Sequence, residues 1–157
     1  WEEFGQCFDR PLAHFIRIYQ PAFFERIGLR YVNIFSRKAL ELEGESWREL
    51  IAPSYLGPLA QEDVDERSTR KCSVDVEMSL DSTCRVKVHA GPGMVKKNMP
   101  NTPQDPEVKF ILDMDLFMGG QLDPRMAAAG LETLHGHSTP LFQGAITDRL
   151  HSALEPR

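Results

Sequence analysis

The chain has 157 residues, 41% of them hydrophobic and 26% charged, which suffices for one buried core and is ordinary for a globular domain. A formal charge of −5 gives no general attraction to nucleic acid or anionic lipid, so neither is the expected partner beyond what a small basic patch could hold. No apolar run reaches the roughly 18 residues of a membrane span, and no charged segment followed by an apolar stretch opens the chain, so it reads as soluble and cytoplasmic, with no membrane partner.

Between Trp1 and Tyr19 the large apolar residues Trp1, Phe4, Phe8, Leu12, Phe15, Ile16 and Tyr19 recur at three- and four-residue steps, the period of one helix face. The pattern predicts a helix with a buried stripe, kinked near Pro11 and closed by Gln20-Pro21. The stripe is expected in the core; if left partly open it would favour homo-oligomers. Because Trp1 already falls inside this period, the chain reads as one α+β domain over residues 1–157 and as the C-terminal part of a longer protein.

From Phe24 to Phe35 the period changes to two, with Ile27, Leu29, Tyr31 and Phe35 on one side and Arg26, Gly28, Arg30, Val32 and Ile34 on the other. That is a long strand, and Gly28 within it marks a bulge or a close approach. Ser46-Trp47-Arg48-Glu49 has capping-box spacing and predicts a short helix ending before Pro53. Residues 54–71 read as a connection with some helical character.

Strands resume over residues 72–80 and 84–90, a hairpin about Asp81-Ser82-Thr83 with one wet side. In that register Cys84 and Cys72 lie at opposite ends, so Cys7, Cys72 and Cys84 are expected to be free thiols, with no disulfide framework and no zinc motif. Residues 91–106 carry two glycines and four prolines and predict a long mobile loop. A strand over residues 107–118 follows, ended by Gly119-Gly120. It sets Asp113 and Asp115 on one face and Phe110, Leu112 and Met114 on the other. Helical spacing then returns from Leu131 to Leu154; Pro140 either starts a second helix with Thr139 as its cap or kinks a single long one, and the single kinked helix is the expectation.

Three blocks carry a resemblance. Phe24-Glu25-Arg26-Ile27-Gly28-Leu29-Arg30-Tyr31-Val32-Asn33, after a helix opening on tryptophan, is the most specific. It is followed by Phe110-Ile111-Leu112-Asp113-Met114-Asp115, and then by a helix running from Leu134-His135 through Phe142 to Ile146-Thr147. In this order they resemble a sporadically distributed family of uncharacterised prokaryotic proteins, over nearly the whole chain. The resemblance implies a further strand-rich region N-terminal to this segment and implies no activity. Gly136-His137 and Pro140 depart from the more regular helix the family leads one to expect.

The fold expected is thus α+β: an antiparallel sheet with the N- and C-terminal helices packed on one face. The candidate binding residues are Arg26, Arg30, Asp113 and Asp115. If their strands are neighbours, they form a cross-strand ion-pair ladder, a site for an unknown protein or small-molecule partner, or a centre in which the two carboxylates hold a hard cation. The first functional reading is a non-enzymatic interaction module using that charged face. The alternative is metal-dependent phosphoryl transfer at Asp113 and Asp115. No catalytic residue, metal ligand or cofactor is assigned. His135 and His137, two apart on a helix, point about 200 degrees from one another and cannot chelate one ion as a pair. Arg85, Lys87, Lys96 and Lys97 could make a small basic patch, read first as solvated charge.

Overall fold

The structure, a computed structural model, describes residues 1–95 and 105–155. Four strands, β1 (Phe24–Phe35), β2 (Val74–Ser79), β3 (Cys84–Met94) and β4 (Val108–Leu122), form one antiparallel sheet in the order β1-β4-β3-β2. Helix α1 (Glu2–Tyr19) precedes the sheet and α2 (Trp47–Leu50) follows β1. Helices α3 (Ala127–Ala145) and α4 (Asp148–Leu154) close the chain. The α+β architecture is the one the alternating strands require. Among the described residues no helix is long and apolar enough to cross a membrane.

Period two decides the packing. Val86, Val88 and Ala90 of β3 and Phe110, Leu112, Met114 and Leu116 of β4 are buried on one side, where they meet Ile27 and Leu29 of β1 and Leu131 and Leu134 of α3. Each fully buried aliphatic or aromatic side chain contributes about 1.5–3 kcal/mol, so this one face supplies most of the driving force. Trp47, 2% exposed, closes the end of the core against Phe110 at 5.4 Å between ring centroids. Its helix begins as the capping box predicts: the Glu49 carboxylate accepts from the backbone N–H of Ser46 at 2.7 Å and from its hydroxyl at 3.0 Å.

Several boundaries differ from the sequence expectation. β4 does not end at Gly119-Gly120 but runs on to Leu122. Against β1 the pairing jumps from Arg26↔Gly119 to Phe24↔Leu122, which places one extra residue on β4. Gly120 has φ 121°, so the glycine pair makes a bulge that continues the strand instead of a stop. β3 extends past residue 90 to Met94 by pairing Gly91–Met94 with Ile111–Val108, so residues 91–94 of the expected 91–106 loop are strand; residues 96–104, including Lys96 and Lys97, lie outside the described residues. In residues 54–71 the helical character is two short 3-10 turns, Pro53–Tyr55 and Gly57–Ala60.

At the C-terminus α3 passes through Pro140, and the break falls at Ile146-Thr147. The cause is tertiary. Ile146 pairs as a β-bridge with Ile51, Thr147 N–H donates to the Leu50 carbonyl at 3.0 Å, and the Thr147 hydroxyl donates to the Glu49 carbonyl at 2.8 Å. Helix α1 forms as expected and runs through Pro11, but none of its residues is buried, and Phe4, Phe15 and Tyr19 are exposed. Trp1, Phe8 and Leu12 pack partly buried against the core, and the start is tied down further: the Trp1 indole N–H donates to Glu132 at 2.8 Å, and its ring stacks 4.0 Å from His135.

Gly91 is a fixed point of the sheet. A Cβ there would lie 2.4 Å from the Cys72 carbonyl oxygen and 3.0 Å from Ser73 Cα, backbone that cannot swing aside like a side chain. Gly91→Ala is therefore expected to destabilise the protein by about 1–3 kcal/mol, as overpacking does, with a matching drop in the urea midpoint and an unchanged slope.

Candidate functional site

The side of the sheet away from the helices carries the charged side chains, which the strand order arranges in stripes, while Val32, Ile34 and Ile111 make one end of it apolar. Asp75 and Glu77 stand on β2, Arg85 and Lys87 on β3, Asp113 and Asp115 on β4, and Arg26 and Arg30 on β1. Registers carry the pattern along rows: Glu77 opposes Lys87, Lys87 opposes Asp115, and Asp115 opposes Arg30. In the next row Asp75 opposes His89, which opposes Asp113. Over these rows four cations face four anions, and each strand borders strands of the other sign; Lys109 of β4 lies beyond them, paired with Asp105.

The four residues singled out from sequence are brought together, on diagonals. Arg30 lies opposite Asp115 but reaches back to Asp113, with Nε donating to Oδ1 at 2.8 Å and Nη2 to Oδ2 at 2.5 Å. Arg26 likewise reaches Asp115, Nη2 to Oδ1 at 2.6 Å. Diagonal neighbours about 7–8 Å apart are within reach of arginine, and the two-pronged contact of Arg30 fixes geometry as well as charge. On the far side of the face the His89 Nδ1 donates to Asp75 at 2.7 Å, while Arg85 and Lys87 lie 3.6 and 3.7 Å from Glu77.

One apolar ring anchors this surface. Phe117 faces the same way as Asp113 and Asp115 yet is 7% exposed, because Arg26, Arg85 and Lys87 lie over it at 4.8, 4.7 and 5.7 Å from its centroid. Gly28, directly opposite Phe117, explains the arginine-glycine-arginine strand. A Cβ at Gly28 would lie 2.3 Å from Arg26 Nη1, so the missing side chain is the space through which Arg26 crosses to Phe117 and Asp115. A depression of about 490 Å³ opens in the middle of the face, with Arg30, Glu77, Lys87, His89, Asp113 and Asp115 on its walls.

The electrostatics follow from these contacts. The Arg30 hydrogen bonds hold Asp113 below the usual carboxylate range against a smaller opposing effect of burial, and they raise Arg30 in turn. The His89 hydrogen bond lowers Asp75. Arg30 holds both oxygens of Asp113 and Arg26 holds Oδ1 of Asp115, so a hard cation shared by the pair would have to displace Arg30. His135 is 2.8 Å from the Tyr31 hydroxyl through Nδ1, and His137 donates through Nε2 to Asp81 at 2.8 Å, so the two diverge as their spacing requires.

Sequence reasoning missed that Asp75, Glu77, Arg85, Lys87 and His89 belong to the same surface as the arginine–aspartate ladder. Their alternation was visible, but strand order was not. Arg85 and Lys87 are engaged with Glu77 and Phe117 and do not form a basic patch of their own. No family model matches the chain, and no curated protein or solved structure is significantly similar to it. The functional reading therefore rests on this surface.

Two outcomes test the geometry. Gly28→Ala is expected to keep the strand while displacing Arg26, so a double-mutant cycle between Arg26→Ala and Asp115→Ala should show coupling in the parent and none in the Gly28→Ala background. Asp113→Ala should cost about 1 kcal/mol at pH 7, the scale of a partly exposed charge-assisted pair. Because the folded Asp113 is held below its ordinary value of about 4, that contribution is present above pH 4 and is lost as pH falls through the lowered value. Urea titrations of parent and variant should therefore converge in acid; a difference that persists or grows there contradicts the assignment.

Proposed function

We propose that this chain is a non-enzymatic binding module whose working surface is the open, striped face of the sheet. The observation that carries the reading is the alternation of charge from strand to strand, with the central depression at its middle. Its charges balance, so it has little long-range pull on polyanions or membranes. It is suited to recognising a surface that carries the reverse stripes at the strand spacing of about 4.8 Å. A cytoplasmic setting fits three unpaired cysteines, one of them exposed. Phosphoryl transfer at Asp113 and Asp115 is less well supported, since both carboxylates are already engaged by arginines.

A second copy of the chain satisfies the pattern. A two-fold axis running parallel to the strands, between β3 and β4, lays β1 over β2 and β4 over β3. Arg30 then meets Glu77, Lys87 meets Asp115, and Arg85 meets Phe117. The other in-plane axis sets like charge on like charge. A closed two-fold pair is also the commonest way in which identical chains associate. Removing so many charges from water opposes the contact, so the affinity is modest and falls with salt.

Sedimentation equilibrium of the protein at low and high ionic strength tests this. A dimer that weakens with salt is expected, and Arg30→Ala or Glu77→Ala should each weaken it by roughly tenfold, because every pair occurs twice across the axis. A dimer insensitive to both variants contradicts the use of this face for self-association. Absence of a dimer, together with capture of the same native-host proteins by parent and Arg30→Ala baits, removes the face as the working surface.

A further inference from the structure

On the helix side of the sheet, away from the striped face, three donors of different chemistry converge at the tip of the β2–β3 hairpin. A carboxylate oxygen of Asp81 in the turn, the sulfur of Cys84 at the first position of β3 and a ring nitrogen of His137 in α3 lie within 4.8 Å of one another. Each comes from a different element and is held by that element's own packing. Asp81 Oδ1 accepts from the backbone N–H of Thr83 and of Cys84, both at 2.7 Å, which fixes the turn. Oδ2 is left toward His137 Nε2 at 2.8 Å. Cys84 is fully buried on the core side, with the Thr83 hydroxyl 3.6 Å from its sulfur. His137 is half-buried on α3, which packs against β1 and β4.

We propose that Asp81, Cys84 and His137 form a binding site for a divalent transition-metal ion, zinc foremost, with the fourth position left to water. One sulfur, one imidazole nitrogen and one carboxylate oxygen suit a borderline-soft ion that takes four ligands. Magnesium and calcium favour sets made of oxygen and are a poor match. Binding is balanced in protons. The Cys84 thiol gives its proton to solvent as the sulfur–metal bond forms. The Nε2–H···Oδ2 hydrogen bond breaks, and in the neutral imidazole that proton passes by way of solvent from Nε2 to Nδ1, so the Nε2 lone pair reaches the ion and the ring releases no net proton. Asp81 needs no deprotonation, since the two backbone N–H groups and His137 hold it far below the usual carboxylate range. The site requires no large motion, because the turn that positions Asp81 uses the other carboxylate oxygen.

The competing assignment is a plain hydrogen bond strapping the hairpin tip to α3, and cobalt separates the two. Reduced, chelator-treated protein of the full sequence carrying Cys7→Ser, to remove the exposed thiol, is titrated with Co²⁺ and then with Zn²⁺. The expected result is one equivalent of cobalt giving a thiolate-to-cobalt charge-transfer band and strong tetrahedral d–d bands, both abolished by zinc, with tighter binding as pH rises. Cys84→Ser should remove the charge-transfer band. Asp81→Asn, which keeps an oxygen to accept the turn's hydrogen bonds, and His137→Ala should each weaken binding by at least the roughly 10–100-fold that changes outside the ligand set already cost. Absence of the charge-transfer band in protein with parental circular dichroism overturns the proposal. So does a band whose affinity is unchanged by both Asp81→Asn and His137→Ala.

Discussion

The structure depends on the register of β4, the longest strand and one of the two hydrogen-bonded on both sides. It pairs with β1 from Phe24 to Phe35 and with β3 from Cys84 to Met94, so its side-chain parity sets that of its neighbours. A slip by one residue would carry Phe110, Leu112, Met114 and Leu116 to water and bring Lys109, Ile111, Asp113 and Asp115 under α3. Several apolar side chains, each contributing about 1.5–3 kcal/mol, and the desolvation of two carboxylates act in the same direction. The register that forms the core therefore also forms the charged face, and no separate cause is needed to align four strands of alternating sign.

Within that frame glycine marks the points where the sheet departs from regularity. Gly28 leaves room for a guanidinium to lie flat on the strand. Gly91 lets the chain before β2 pass over β3, and Gly120 admits the positive φ that carries β4 beyond its bulge. Phe117 links the two sides of this arrangement, since it is buried by cations instead of by the core. The result is a surface whose charges balance and are strongly patterned, properties that favour recognition of one geometry over attraction to many partners.

How much of this could be read from the chain differs by feature. β1 was legible to the residue, because period two persisted through twelve positions, and the Ser46–Glu49 box announced a short helix before Pro53, which forms as a single turn. The ladder of Arg26 and Arg30 with Asp113 and Asp115 was legible as a possibility because both strands carried charge at even spacing. The remaining stripes were hidden, since only the pairing of β3 with β4 places Lys87 next to Asp115. The glycine pair was misread as a stop because its φ is a property of the bulge. The helix break at Ile146 was invisible because its cause, Ile51, lies far away in sequence. The aromatic period of α1 predicted the helix, but its stripe is only partly covered: Trp1, Phe8 and Leu12 pack against the core while Phe4, Phe15 and Tyr19 stay exposed, since periodicity reports a face and what covers that face is a tertiary matter.

The most direct measurement is the set of cross-strand NMR contacts made by Asp115. The register requires backbone NOEs that join Asp115 to Lys87 on one side and to Arg30 on the other, with Asp113 joined in the same way to His89 and Val32. Contacts displaced by one residue on either strand, or helical sequential contacts through residues 108–122, would contradict it.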